Sequence, residues 1–276
     1  MSQITALHTG ISAALPCAKL IAVASGKGGV GKTWLSAALT HALANQGRRS
    51  LLFDGDLGLA NVDIQLGLTP ERDLGAVLAG QCSLADAITP VESANFDVIA
   101  GRSGSGSLAN LPANKLAGLS DDLVKLTERY DDVVIDLGAG IERTVRHLAG
   151  LAATCLVITT DEPTSLTDAY AFIKLTLAAP GRQHPLGPSG ADLRVVVNMA
   201  GSRSEGERTY GTLSKACATF LKANPPLAGI IPRDAKVKDA IRHQTPILQR
   251  HPGSPAAKAI EVLAQSLRPN GGRTAA

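Results

Sequence analysis

Short apolar runs recur along the chain at 20–25, 50–54, 96–100, 132–136, 154–160, 193–198 and 227–231. Most lack polar alternation, which is the pattern of parallel strands covered on both faces. Stretches of helical spacing lie between them. Leu35, Ala38, Leu39, Ala42 and Leu43 fall on one face, and Gly47 is placed to end that helix. Pro163 and Pro255 stand as first-turn prolines of later helices. A last periodic run, 256–267, sets Ala257, Ile260, Leu263, Ala264 and Leu267 on one face and reads as the closing helix. Strands separated by helices predict right-handed crossovers and a doubly wound, mostly parallel α/β sheet of seven or eight strands. We expect one domain, 19–268, between a lead of residues 1–18 and a tail of residues 269–276, both flexible. There is no internal repeat, and the glycine-rich segments 101–112 and 181–190 read as mobile loops.

Composition narrows the function classes. With 45% hydrophobic and 18% charged residues over 276 positions, the chain has material for a buried sheet. Aromatics are only 3%, so aromatic platforms for single-stranded nucleic acid are not expected. The net charge of +3 implies no polyanionic partner by itself, but it is unevenly spread. From Pro232 onward eight Lys/Arg face three acids, net +5, which leaves −2 for the rest. A solvated basic face is the plain reading of that segment. Cys17, Cys82, Cys155 and Cys217 are far apart with no CxxC spacing, which argues against a zinc site and a disulfide framework and points to a reducing compartment. The six histidines are scattered, and residues 1–18 do not read as a secretory signal. The longest apolar run, 148–158, falls short of the roughly twenty residues that span a bilayer.

The chemistry concentrates in SGKGGVGKT, residues 25–33. Gly26 to Thr33 fits GxxxxGK[ST] between an apolar strand and an amphipathic helix, the context that motif requires. Glycines at Gly26, Gly28, Gly29 and Gly31 let backbone amides turn toward phosphate oxygens, and the helix N-terminus adds partial positive charge. Lys32 would neutralise the β and γ phosphates of a nucleoside triphosphate, and the Thr33 hydroxyl would ligate magnesium. The same stretch also satisfies GxGxxG through Gly26, Gly28 and Gly31, with Asp54 and Asp56 ending the next strand, so a dinucleotide-binding oxidoreductase is a rival. That rival leaves the Lys-Thr pair unused. It also leaves Asp136 unused, the acid closing strand 132–136, where a phosphate-loop enzyme steadies its metal. Beside such a loop, one acid of Phe53-Asp54-Gly55-Asp56 is placed to orient or deprotonate an attacking water. Lys27 is the surplus cation. It sits at the outer lip, expected to reach away from its own nucleotide unless a second subunit brings the partner's triphosphate to it, as an arginine finger worth about 10³ to 10⁵ in rate would do.

With that extra lysine, KGGVGKT resembles the deviant phosphate loop of the MinD/ParA class of dimerising ATPases. FDGDLGLANVDIQLGL (53–68), DVVIDLGAGIERTV (132–145), TDEPTSLTDAYAFIKL (160–175) and GIIPRDAKVKDAIRHQTPIL (229–248) resemble its FlhG/FleN branch, which regulates flagellar number and placement. The resemblance runs from about Lys19 to Leu267. It implies ATP and Mg2+ as ligands, with Lys27 the signature lysine, Lys32 the phosphate lysine and the loop from Gly26 through Val30 to Thr33 around the phosphates. By the same resemblance Asp56 activates water, Thr33, Asp54 and Asp136 serve the metal, and Asn61 and Gly138 belong to the two switches. Asn198 matches the adenine-reading position, with Pro232, Arg233 and Asp234 completing the base pocket. It further implies an ATP-dependent homodimer, an FlhF-like GTPase and flagellar switch or regulator proteins as partners, and a cytoplasmic protein recruited to the cell pole or inner membrane by a partner. Membrane contact would be indirect or weak, since RPNGGRTAA after the last helix has no apolar face, and DNA is not expected as a partner. A ParA-type DNA- or cargo-positioning ATPase and a MinD-type division-site regulator are the alternatives. Trp34 departs from the class, which often has a second small hydroxyl residue after GKT.

Overall fold

The computed structural model describes residues 17–101, 111–178 and 192–267. The lead to residue 16, residues 102–110 of the first glycine-rich loop, all of the second and the tail lie outside them. In chain order the elements are β1 (Cys17–Ser25), α1 (Lys32–Ala44), β2 (Ser50–Gly55), α2 (Val62–Leu66), α3 (Leu74–Leu78), β3 (Ile88–Val91), β4 (Phe96–Ile99), α4 (Ala113–Leu126) and β5 (Asp132–Ala139). There follow α5 (Arg143–Ala149), β6 (Ala152–Thr159), α6 (Pro163–Leu177), β7 (Asp192–Ala200), α7 (Arg203–Ala216), β8 (Leu227–Pro232), α8 (Ala235–Arg242), α9 (Ile247–Arg250) and α10 (Pro255–Ser266).

The strands form one sheet of order β3-β4-β2-β5-β1-β6-β7-β8, parallel except for β3. Each central strand divides its side chains by the two-residue period. Leu20, Ala22 and Ala24 of β1 join the core under α4 to α7, while Ile21 and Val23 join the core under α1 and α10. Burial on both faces is why these strands read as unbroken apolar runs. Every residue of α1 is buried, because α10 lies across it and β2 and β5 lie beneath.

Two expectations shift. β1 begins at Cys17, three residues before the apolar run, where the Cys17 amide bonds Leu151 O at 2.9 Å. β3, with the sequence ITPV, is an eighth strand that no apolar run announces. It pairs antiparallel with β4 at the sheet edge, where Pro90 costs no interior ladder bond. The helix-start prolines stand as expected, Pro163 opening α6 and Pro255 opening α10, the latter capped by Ser254 Oγ, which accepts the Ala257 amide at 3.2 Å.

Candidate active site

The chain leaves β1 for β2 on one side and passes from β5 to β6 over the other, so the crossovers diverge around β1. A crevice outside the carboxyl ends of β1, β2 and β5 is where such sheets bind ligands. The loop 26–31 lies there. Gly29 and Gly31 have φ of 79° and 85°, a backbone that side chains rarely tolerate. Gly26 is required for a different reason, because a Cβ there would lie 2.2 Å from the Asp168 carbonyl oxygen of α6. Ser25 Oγ donates to Lys27 O at 2.8 Å and braces the turn. Gly31 caps α1 without a side-chain acceptor, so the helix presents its first amides unbonded by any cap.

Beneath the loop, Lys32 and Asp136 form a buried pair, Nζ to Oδ1 3.3 Å. Ser36 Oγ lies 3.0 Å from the same oxygen. Asp136 Oδ2 is buried with no partner. Burial pushes the Asp136 carboxyl up, against Lys32 and the Thr33 and Ser36 hydroxyls, which pull it down. An orphaned carboxylate oxygen beside a buried threonine hydroxyl fits a small hard cation. Among the described residues no group of three or more His, Cys, Asp or Glu is arranged to hold a metal, and magnesium on nucleotides is held by one or two such groups with phosphates and water.

Asp54 pairs in register with Asp136 across β2 and β5. Its oxygens accept the amides of Asp56, Asn61 and Val62, each at 3.2 Å. Burial, then the neighbouring Asp136, push Asp54 up to about 7. Asp54 therefore stands in the structure as the brace of the loop 56–62, and direct metal ligation would require giving up those amides. Asp56 is half-buried, its Oδ1 taking the amides of Gly58 at 3.3 Å and Leu59 at 3.0 Å. A Cβ on Gly138 would lie 3.4 Å from that oxygen, so the backbone at Gly138 faces Asp56 closely. Asn61 precedes α2 as its N-cap residue.

Three expected residues are engaged otherwise. Lys27 does not reach outward: its ammonium pairs with the Glu162 carboxylate and bonds Thr164 Oγ1 at 2.8 Å, both at the start of α6. Its charge holds the Glu162 carboxyl below its usual range. The Asn198 amide nitrogen donates to Val30 O at 2.7 Å, so this side chain props the phosphate loop from β7. Asp234 caps α8 through the Lys236 amide at 2.9 Å and also accepts Ala256 N at 3.2 Å, while Arg233 is exposed and Pro232 closes β8. Ser36 carries no motif signal, and Trp34 stands out only as a departure from the loop motif. Ser36 is one more small residue on an apolar helix until β5 is placed against it. Trp34 is buried between α1, α2 and the α8–α9 turn, its indole Nε1 without a partner.

The model for the CobQ/CobB/MinD/ParA nucleotide binding domain matches residues 21–247. The antiactivator FleN of Pseudomonas aeruginosa is 39% identical over 249 residues, 90% of this chain and 86% of that protein. The flagellum site-determining protein YlxH of Helicobacter pylori is 28% identical over 247 residues, 89% of this chain and 80% of that one. Among solved structures, the septum site-determining protein MinD of Pyrococcus horikoshii, complexed with Mg-ADP, superposes with a TM-score of 0.73 at 25% identity over 90% of this chain and 95% of that one. A glycine loop on a parallel sheet alone would leave the dinucleotide rival standing; a family match over most of the chain does not, and the chain belongs to the CobQ/CobB/MinD/ParA nucleotide-binding family, as an ATPase of its MinD/ParA class in the branch that holds FleN.

Proposed function

We propose that this chain is a nucleotide-driven switch controlling flagellar number and placement, binding ATP with Mg2+, closing into a homodimer and releasing its partner copy after hydrolysis. The observation that carries the chemistry is the buried Lys32–Asp136 pair under a loop in which close neighbours hold Gly26 and Gly31, and a positive φ holds Gly29, to glycine. The identity to FleN over nine-tenths of the chain carries the biological role.

Lys32 and the amides from Gly28 to Thr33 take the phosphates. When bound, magnesium neutralises charge on the phosphate oxygens, and Thr33 and the free Asp136 oxygen are the groups that hold it, with Asp54 shaping the loop above. Asp56 orients and deprotonates the attacking water from between the two switches, and Asn61 and Gly138 register the γ phosphate. Asn198, Pro232, Arg233 and Asp234 border the base. Leu59 is 75% exposed and Ile141 42%, one in each switch, and burying such apolar side chains against a second copy favours association. Lys27 leaves Glu162 for the partner's triphosphate in that dimer.

Flagellar switch or regulator proteins and an FlhF-like GTPase are the partners that suit a FleN relative, with placement in the cytoplasm and recruitment to the pole or inner membrane through them. Among the described residues no helix is long and apolar enough to cross a membrane. Light scattering on Asp56→Ala tests the reading. The variant should bind ATP and accumulate as a magnesium-dependent dimer, and Lys32→Ala should stay monomeric without nucleotide. A monomer at saturating ATP and magnesium in Asp56→Ala would refute the switch.

A further inference from the structure

We propose that Ser36 is a positioning residue for magnesium, its hydroxyl holding one oxygen of Asp136 so that the other stays directed at the metal; this rests on the ATPase reading above. Ser36 is fully buried, and two acceptors lie 3.0 Å from its Oγ, Asp136 Oδ1 and the Lys32 carbonyl. The Lys32 carbonyl is a neutral acceptor that already takes the helical bond from the Ser36 amide on one of its two lone pairs, whereas Asp136 Oδ1 carries carboxylate charge. The single hydroxyl hydrogen therefore goes to the carboxylate, the stronger acceptor.

Asp136 is then divided. Oδ1 faces Lys32 Nζ and Ser36 Oγ, and Oδ2 has no partner although it is buried. A buried carboxylate oxygen without a protein partner is one that an ion or a water would complete. Lys32 cannot hold this division through the cycle. Its 3.3 Å contact is longer than the 2.7–2.9 Å of a good charge-assisted bond, and its ammonium would be drawn to the phosphates of a bound nucleotide. The Thr33 hydroxyl would be taken up by the metal. Ser36 is the donor that remains on Oδ1 in the loaded state, and without it the carboxylate is free to rotate.

The placement follows from helix geometry. Lys32 and Ser36 are four residues apart on α1 and so share a face, which is the face toward β5. The helix that carries the phosphate loop thus also sets the carboxylate beneath it. Thr40 Oγ1 donates to Ser36 O at 2.8 Å one turn on, so the hydroxyl series continues but touches no charged group there.

Binding of a fluorescent, non-hydrolysable ATP analogue to the full chain, titrated with magnesium, separates this role from a structural one. Ser36→Ala should raise the half-saturating magnesium concentration about 10-fold or more, since hydrogen bonds to ligating carboxylates are typically worth 10–100-fold in metal affinity. Binding of the same analogue in EDTA should stay at the wild-type value, while the unfolding temperature falls with the loss of one buried hydrogen bond to a carboxylate. Ser36→Thr, which keeps the hydroxyl, should restore the magnesium dependence. A wild-type magnesium titration in Ser36→Ala overturns the proposal, and so does a loss of binding in EDTA, which would make Ser36 a support of the loop. Binding to the unaltered chain that ignores magnesium overturns the ATPase reading itself.

Discussion

The two lysines of the phosphate loop are five residues apart and do different work because of what surrounds them. Lys32 is buried against Asp136, whereas Lys27 lies at the surface, tied to Glu162 and Thr164. Moving Lys27 to a partner therefore exchanges one ion pair for another instead of creating one, and an exposed pair such as Lys27–Glu162 is screened by water and contributes little. Lys27→Ala is expected to keep ATP affinity and lose ATP-dependent dimerisation or hydrolysis; unchanged turnover would contradict a cross-subunit role. His41 is a residue with consequences for pH. It is 4% exposed within α1, its Nδ1 has no partner, and burial lowers it to about 4. The unfolded chain binds the proton near 6.5 and the folded chain only near 4, so stability falls as pH drops between those values. The full effect is about 3 kcal/mol. Urea unfolding of His41→Leu should show a flatter decline than the unaltered chain from pH 6.5 to 4, and parallel declines would refute this. Of these features, the lysine pair was legible in the motif. The Glu162 contact was not, because it joins residues 27 and 162 and no local pattern encodes it.

At the scale of elements, the loop is fitted to its neighbours by missing side chains. Gly26 lies against the α6 backbone, and a Cβ on Gly31 would lie 2.5 Å from Asn198 Nδ2. Gly26→Ala must displace backbone, because the colliding atom is a carbonyl oxygen with no rotamer to change. Overpacking of this kind costs about 1–3 kcal/mol. A urea midpoint lowered to match, with weakened nucleotide binding, is expected; an unchanged midpoint would mean that α6 yields easily. The interior strands and the capped helices were readable because burial on both faces and helix-start prolines leave local marks. β3 was not, since a four-residue edge strand with a proline is held by its partner β4 more than by its own preference.

At the scale of the whole molecule, the basic end distinguishes two readings. Lys236, Lys238 and Arg242 of α8 are exposed, yet Asp239 takes Arg250 and His251, each at 2.6 Å, so part of that charge is neutralised within the fold. A DNA-retention assay with and without ATP is expected to give no ATP-dependent retention. Retention seen only with ATP, falling steeply with salt, would favour DNA positioning over flagellar control. The order of residues by itself determined the sheet class, the loop and its lysines, and the acids Asp54, Asp56 and Asp136 toward the carboxyl ends of β2 and β5, although β5 runs on to Ala139 past the expected close at Asp136, because apolar period, glycine spacing and helix starts act over a few neighbouring residues. Only the tertiary structure decided that Ser36 meets Asp136, that Asn198 props Val30, that Asp54 is spent on loop amides and that Lys27 is tethered. Each of these joins segments far apart in the chain, and such distances are fixed by packing across the sheet.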